Sequence, residues 1–156
     1  MEPAVDPSPI EAVPFRLPDR ADPYENARPW RVTVAEGSMR PALEPGDWLL
    51  VDPTTHHWPR RGAIVVVRQP ASGLLVVKRV AARPGDTLSV AGHRVQLGPT
   101  EAWLLGDAPA VSVDSRIYGP VTLDHLVGRA WLRYGPMGRP LGLIDRPAAS
   151  RRTQSG

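Results

Sequence analysis

Cysteine is absent from this chain, which removes disulfide frameworks, thiolate metal sites and thiol nucleophiles together. Phenylalanine occurs once, and no apolar run is longer than the five residues from Ala63 to Val67. A membrane-spanning helix needs about 18 such residues, so no membrane anchor is expected. No apolar segment after Met1 has the form of a secretory leader, and the expected location is cytoplasmic. Charge of one sign is also scarce. Nineteen Lys and Arg stand against 16 Asp and Glu, a net of +3, and no dense basic run is present to hold a nucleic-acid backbone. No nucleic-acid partner is expected. Lysine is the scarcest charged residue: 18 of the 19 cations are Arg, and the single Lys is Lys78. Arg stays protonated at any accessible pH, whereas a buried Lys can become a neutral amine and serve as a base.

Chain breakers are plentiful. The 156 residues include 14 Gly and 19 Pro, a density that excludes long uninterrupted helices. Seven of the prolines fall in residues 1–29, with six acidic residues and three Arg. That composition predicts a disordered, Pro-rich acidic arm. Residues 146–156 hold no apolar side chain larger than Ala and predict a disordered tail. One domain is expected between them, over 30–145.

Inside that domain the apolar pattern is short, β-branched and divided by turns. Arg31-Val-Thr-Val-Ala alternates, and Asp47 to Asp52, Ala63 to Arg68 and Leu74 to Val80 are compact runs of strand length. Pro45-Gly-Asp and Pro84-Gly-Asp are turn signals leading into strand-like runs. Asp86 to Leu97 reads as a hairpin turning around Gly92, and Trp103-Leu-Leu and Gly128 to Tyr134 complete the series. Helix is expected only as one turn after Ser38 and a short piece near Leu123 to Leu126. The fold class is mainly β, a folded sheet or small barrel.

Four segments stand out in order: Glu36-Gly-Ser-Met-Arg-Pro-Ala-Leu, Pro45-Gly-Asp, Lys78-Arg-Val-Ala-Ala-Arg-Pro-Gly-Asp, and Gly106-Asp-Ala-Pro-Ala-Val-Ser-Val-Asp-Ser-Arg-Ile-Tyr-Gly-Pro-Val. Together, between Val34 and Tyr134, they resemble the serine/lysine proteases of the type I signal peptidase family. The resemblance implies a compact domain of the LexA and signal peptidase kind. It also implies a serine endopeptidase that removes an N-terminal leader without metal or cofactor. Ser38 would attack the scissile carbonyl and Lys78 would take its proton. Ser112 matches the serine that holds the lysine amine, and Asp114 and Arg116 match an ion pair that pins the last segment. Met39 and Pro41, beside the nucleophile, are assigned to substrate contact. Ser115 has no role in this reading.

The residues allow that chemistry. A serine hydroxyl needs a base within hydrogen-bond reach. His56 and His57 sit in a turn, His93 in a hairpin and His125 in a polar stretch; none comes with a recognisable acidic orienter, and all read as surface or loop residues. Lys78 follows Leu74-Leu-Val-Val, a run whose burial would disfavour the charged amine. Two positions depart from the family pattern. Glu36 stands where many signal peptidases have a serine that helps bind the oxyanion, which would leave the hole to the Ser38 amide and another N–H. Ala108 replaces the usual Asn after Gly-Asp.

The short spacing from Ser38 to Lys78, the Pro-rich arm and the single hairpin between Asp86 and Trp103 look most like the maturation proteases of nickel-type superoxide dismutase. Those free the N-terminus of a cytoplasmic precursor, so such a precursor is the expected partner. A general signal-peptidase-like processing enzyme acting on another substrate is one alternative, and two other classes compete. LexA-like self-cleaving regulators share the Ser/Lys chemistry but place a helix-turn-helix ahead of it, and residues 1–29 are too short and Pro-rich for one. A catalytically dead peptide-binding module would not need both Ser38 and Lys78.

Overall fold

The computed structural model describes residues 10–12, 30–70, 72–138 and 142–144. The arm and tail expected over 1–29 and 146–156 lie outside these residues, apart from Ile10–Ala12. The backbone of those three forms a strand, β1, antiparallel to β2.

The described chain is mainly β. β2 (Trp30–Val34), β3 (Trp48–Asp52), β4 (Ile64–Arg68) and β5 (Leu75–Ala82) come first. The β6 (Thr87–Val90) and β7 (His93–Gln96) hairpin follows, then β8 (Glu101–Leu105), α1 (Ser115–Tyr118), β9 (Val121–Thr122), β10 (Leu126–Gly135) and β11 (Gly142–Leu143). The sheet runs β1-β2-β3-β10-β4-β5-β8-β9 with β11 also on β10, and among the described residues β6 and β7 pair only with each other. Every pairing is antiparallel. The sheet folds without closing, so of the two expected architectures the folded sheet is the one adopted and the barrel is not.

Period two decides what each strand buries. Ile64 and Val66 of β4 join Val32, Val34, Met39, Leu43, Leu49, Val51 and Val77 in one core cluster. Val65 and Val67 join Trp58, Val76, Val80, Ala102 and Leu104 in a second. The longest apolar run of the sequence is thus a strand covered on both faces, which is why it does not alternate. Burying a Val or Leu side chain contributes roughly 1.5–3 kcal/mol, so β4 anchors both layers.

The first cluster also joins β2 to β5, which are far apart in sheet order. That fold brings the turn after β2 against β5, and β1 lies close to β5 as well.

Two expectations about helix need revision. After Ser38 the chain makes a turn with one bond of helical spacing, Leu43 N–H to Met39 O at 2.9 Å, and forms no helix. The piece near Leu123 is a 3-10 turn, Leu123–His125. Helix α1 escaped the sequence reading because its four residues are too few to show a period. Asp114 caps it by accepting from the Arg116 N–H.

Candidate active site

Ser38 lies in the turn that follows β2 and is 2 % exposed, and Lys78, in the middle of β5, is 1 % exposed. Strand alternation puts Lys78 on the face of Val76 and Val80, opposite Val65 in the ladder. The Lys78 Nζ donates to Ser38 Oγ at 3.1 Å and to Ser112 Oγ at 3.2 Å. Burial is the main influence on this amine and lowers its pKa; Glu36 and Asp114 act in the raising direction and Arg116 lowers it further. The result is an amine biased toward neutrality in hydrogen-bond reach of a hydroxyl.

Ser112 is held from below. Its hydroxyl donates to Asp114 Oδ2 at 2.7 Å, and the same oxygen accepts from the Gly106 N–H at 2.9 Å. Arg116 donates through Nε to Asp114 Oδ1 at 2.9 Å and through a terminal nitrogen to Oδ2 at 2.6 Å. Burial alone would raise the Asp114 pKa. The Arg116 guanidinium, with the Gly106, Ser112 and Arg116 backbone or hydroxyl donors, overrides it and holds this carboxyl well below the usual carboxylate range. Asp114 is therefore a fixed anion with its lone pairs in use.

Gly106 is required by close approach. A Cβ there would run into the Ser112 hydroxyl, and would sit 2.7 Å from the Ser112 Cβ and 2.8 Å from the Ser38 carbonyl oxygen. The next turn fastens that same carbonyl, which accepts from the Ala108 N–H at 2.8 Å. Ala108, which stands in place of the Asn usual in the resembled family, thus serves through its backbone.

The structure brings Ser38, Lys78, Ser112, Asp114 and Arg116 into one chain of contacts. It does not do so for Met39 and Pro41. Met39 is 1 % exposed and packs in the core cluster with Leu43 and Leu49, and Pro41 is exposed on the turn. His56, His57 and His93 are exposed. His125 engages Thr122 and Asp124. Among the described residues no cluster of His, Asp and Glu is placed to hold a metal ion.

Three contacts were not read from the sequence. Ser115 accepts from the Leu104 N–H at 2.9 Å and so ties α1 to β8. Arg79 clamps Asp107 in a bidentate pair at 2.9 and 2.7 Å, fastening the loop after β8 to β5. The third corrects an expectation: the Ser38 amide is not free for an oxyanion, because it donates to Glu36 Oε1 at 2.6 Å.

A buried serine and lysine in contact, braced by a second serine, suit nucleophilic attack on a carbonyl. Comparison with known proteins agrees on the class: this is a serine endopeptidase on an antiparallel β scaffold. Residues 29–101 match the family model "Signal peptidase, peptidase S26". That stretch takes in Ser38 and Lys78 and stops short of Ser112. Signal peptidase I of Leptolyngbya laminosa is 32% identical over 147 residues, covering 73% of this chain and 72% of the relative. Mitochondrial inner membrane protease subunit 1 of Schizosaccharomyces pombe is 34% identical over 130 residues, covering 74% and 83%. Subunit 2 of that protease from Mus musculus is 33% identical over 108 residues, covering 62% of each. The chain belongs to the signal peptidase family, peptidase S26, and its activity is of the leader-processing kind.

Proposed function

We propose that Ser38 and Lys78 are the catalytic dyad and that the substrate is a leader-bearing cytoplasmic precursor, specifically that of a nickel-type superoxide dismutase. One observation carries the dyad: the only Lys of the chain lies 3.1 Å from the Ser38 hydroxyl in a buried setting. The neutral Lys78 amine takes the hydroxyl proton as Ser38 Oγ bonds to the scissile carbonyl carbon. The resulting ammonium returns that proton to the leaving amine, and water then hydrolyses the acyl-serine with Lys78 again as base. Ser112 keeps the Lys78 amine aimed, and Asp114 and Arg116 keep Ser112 in place.

The substrate assignment is supported by compactness. Between Asp86 and the start of β8 the chain has only the β6–β7 hairpin, and among the described residues no helix is long and apolar enough to cross a membrane. A second reading has its own support. Val111, Val113 and Ile117 are 62 %, 49 % and 68 % exposed around Ser112, and relatives are named as inner membrane proteases. An apolar rim beside the dyad suits a precursor met at a bilayer.

The test is to add enzyme to detergent-free nickel superoxide dismutase precursor, with and without liposomes, and follow the leader and the new N-terminus by mass spectrometry. Cleavage at one leader junction without liposomes supports the soluble maturation reading. Cleavage only with liposomes favours the membrane reading, and an intact precursor in both arms rejects this substrate. Ser38→Ala and Lys78→Arg should each reduce cleavage at least about a thousandfold with the fold retained. The arginine keeps the charge but cannot yield a proton, so normal turnover by Lys78→Arg would sink the dyad.

A further inference from the structure

Attack by a serine puts negative charge on the former carbonyl oxygen, and the nucleophile's own backbone N–H is well placed to receive it. In this protein that N–H is taken. Glu36, two residues upstream and half-buried, accepts it at 2.6 Å. A carboxylate in that place would oppose the oxyanion by like charge. Among the described residues the Ser38 amide is the only hydrogen-bond donor recorded to the Glu36 side chain. Asp114, by comparison, has five donor contacts. Glu36 is thus lightly held and can leave.

Resting on the Ser38–Lys78 reading, we propose that Glu36 is a resting-state brake: it occupies the oxyanion donor and must move off the Ser38 amide at each turnover. Glu36 also acts on Lys78 through its charge, in the direction of the ammonium form. Of the carboxylates that act on this amine Glu36 is the stronger, ahead of Asp114, with the Arg116 guanidinium opposing both. The two effects act together. While Glu36 is seated, the base is less often neutral and the oxyanion lacks its nearest donor. A peptide whose carbonyl competes for the amide lifts both restraints, so the brake discriminates between a precursor that docks and one that merely collides.

The chain's single Lys makes this measurable without any substrate. In protein labelled with 13C at the lysine ε position, the one resonance is Lys78, and its titration midpoint should fall in both Glu36→Gln and Glu36→Ala. The Ser38 amide proton should move upfield in Glu36→Ala as it loses its carboxylate. Nucleophile reactivity is read with a fluorophosphonate. Ser38 Oγ bonds to phosphorus, fluoride leaves, and the hydroxyl proton passes to Lys78. Glu36→Ala should label about tenfold faster than wild type, and Glu36→Gln by an intermediate factor, since its amide oxygen can still occupy the N–H.

A Lys78 midpoint unmoved in both variants overturns the proposal. So does labelling of Glu36→Ala no faster than wild type, complete absence of labelling included. Labelling of Ser38→Ala as fast as wild type is a separate outcome that overturns the dyad itself. Thermal melts of both variants establish that the fold persists, and Glu36→Gln keeps the test open should the alanine variant unfold.

Discussion

Two carboxylates border Lys78, and they are held in opposite ways. Asp114 is fully buried and takes hydrogen bonds from Arg116, Gly106 and Ser112. Glu36 is half-buried and takes one, from the Ser38 N–H. Both favour the ammonium form of Lys78 against the larger effect of burial. The fixed one works through a hydroxyl and sets the position of the amine. The lightly held one lies on the backbone of the proposed nucleophile, where charge would develop. Rigidity is spent where geometry has to be kept, and freedom is left where something must move.

The contrast breaks most visibly at its rigid end. Asp114→Asn should lower stability by about 3 kcal/mol, through lost charge-assisted hydrogen bonds and an Arg116 left without its partner. Cleavage should fall about a hundredfold as Ser112 loses its acceptor, measured by denaturant unfolding and leader release. The pH dependence has a definite sign. Because the folded pKa of Asp114 is depressed from 3.8, its stabilisation is present above that ordinary value and disappears as pH falls below it. Wild type should therefore lose its advantage over Asp114→Asn in acid. An equal difference at pH 3 and pH 7 would contradict the assignment.

Next in size is Gly106→Ala. The added methyl meets Ser112 and the Ser38 carbonyl, so about 2 kcal/mol of stability should be lost with most activity. A smaller effect of opposite sign comes from Lys78→Met. Its pKa is lowered on folding, so the unfolded chain binds the extra proton, and the lysine costs stability below its ordinary value of 10.5. The methionine variant should be inactive yet about 1 kcal/mol more stable at neutral pH, with the gap closing as pH rises toward 10.5. A constant gap across pH would mean that Lys78 is not desolvated.

The smallest effect lies outside the site. The two-residue turn between β6 and β7 is Ala91-Gly92 with φ of 51° and 83°, a conformation that suits Asn-Gly. Ala91→Asn should stabilise by about 0.5 kcal/mol and leave cleavage unchanged. It serves as the control on the three site variants.

Much of this was legible in the sequence. Alternation located β2 and compact apolar runs located β3, β4 and β5, because each buries at least one apolar face, and the turns declared themselves as Pro-Gly-Asp. Both turns close alike, with Asp47 N–H donating to Glu44 O and Asp86 N–H to Arg83 O, each at 3.0 Å. Ser38, Lys78, Ser112, Asp114 and Arg116 were singled out by motif order. What was not legible depends on side-chain direction in irregular segments. Met39 turns inward because the turn after Ser38 is tight, which no periodicity announces. The Arg79–Asp107 clamp joins residues 28 apart, a separation with no pattern of its own. The Glu36 contact needed the local turn geometry before its carboxylate could be placed on an amide two residues ahead.

The β6–β7 hairpin has a further meaning. Among the described residues it pairs with nothing but itself, and packs by Leu88, Val90 and Val95 onto a small satellite of Ala82, Leu97 and Trp103. No register in the main sheet depends on it. Closing a flexible loop twice as long costs only about 0.6 kcal/mol, so this tip is an insertion port. A fluorescent reporter or a whole folded module spliced between Ala91 and Gly92 would leave the hydrolytic machinery in alignment, and evolution has the same liberty there.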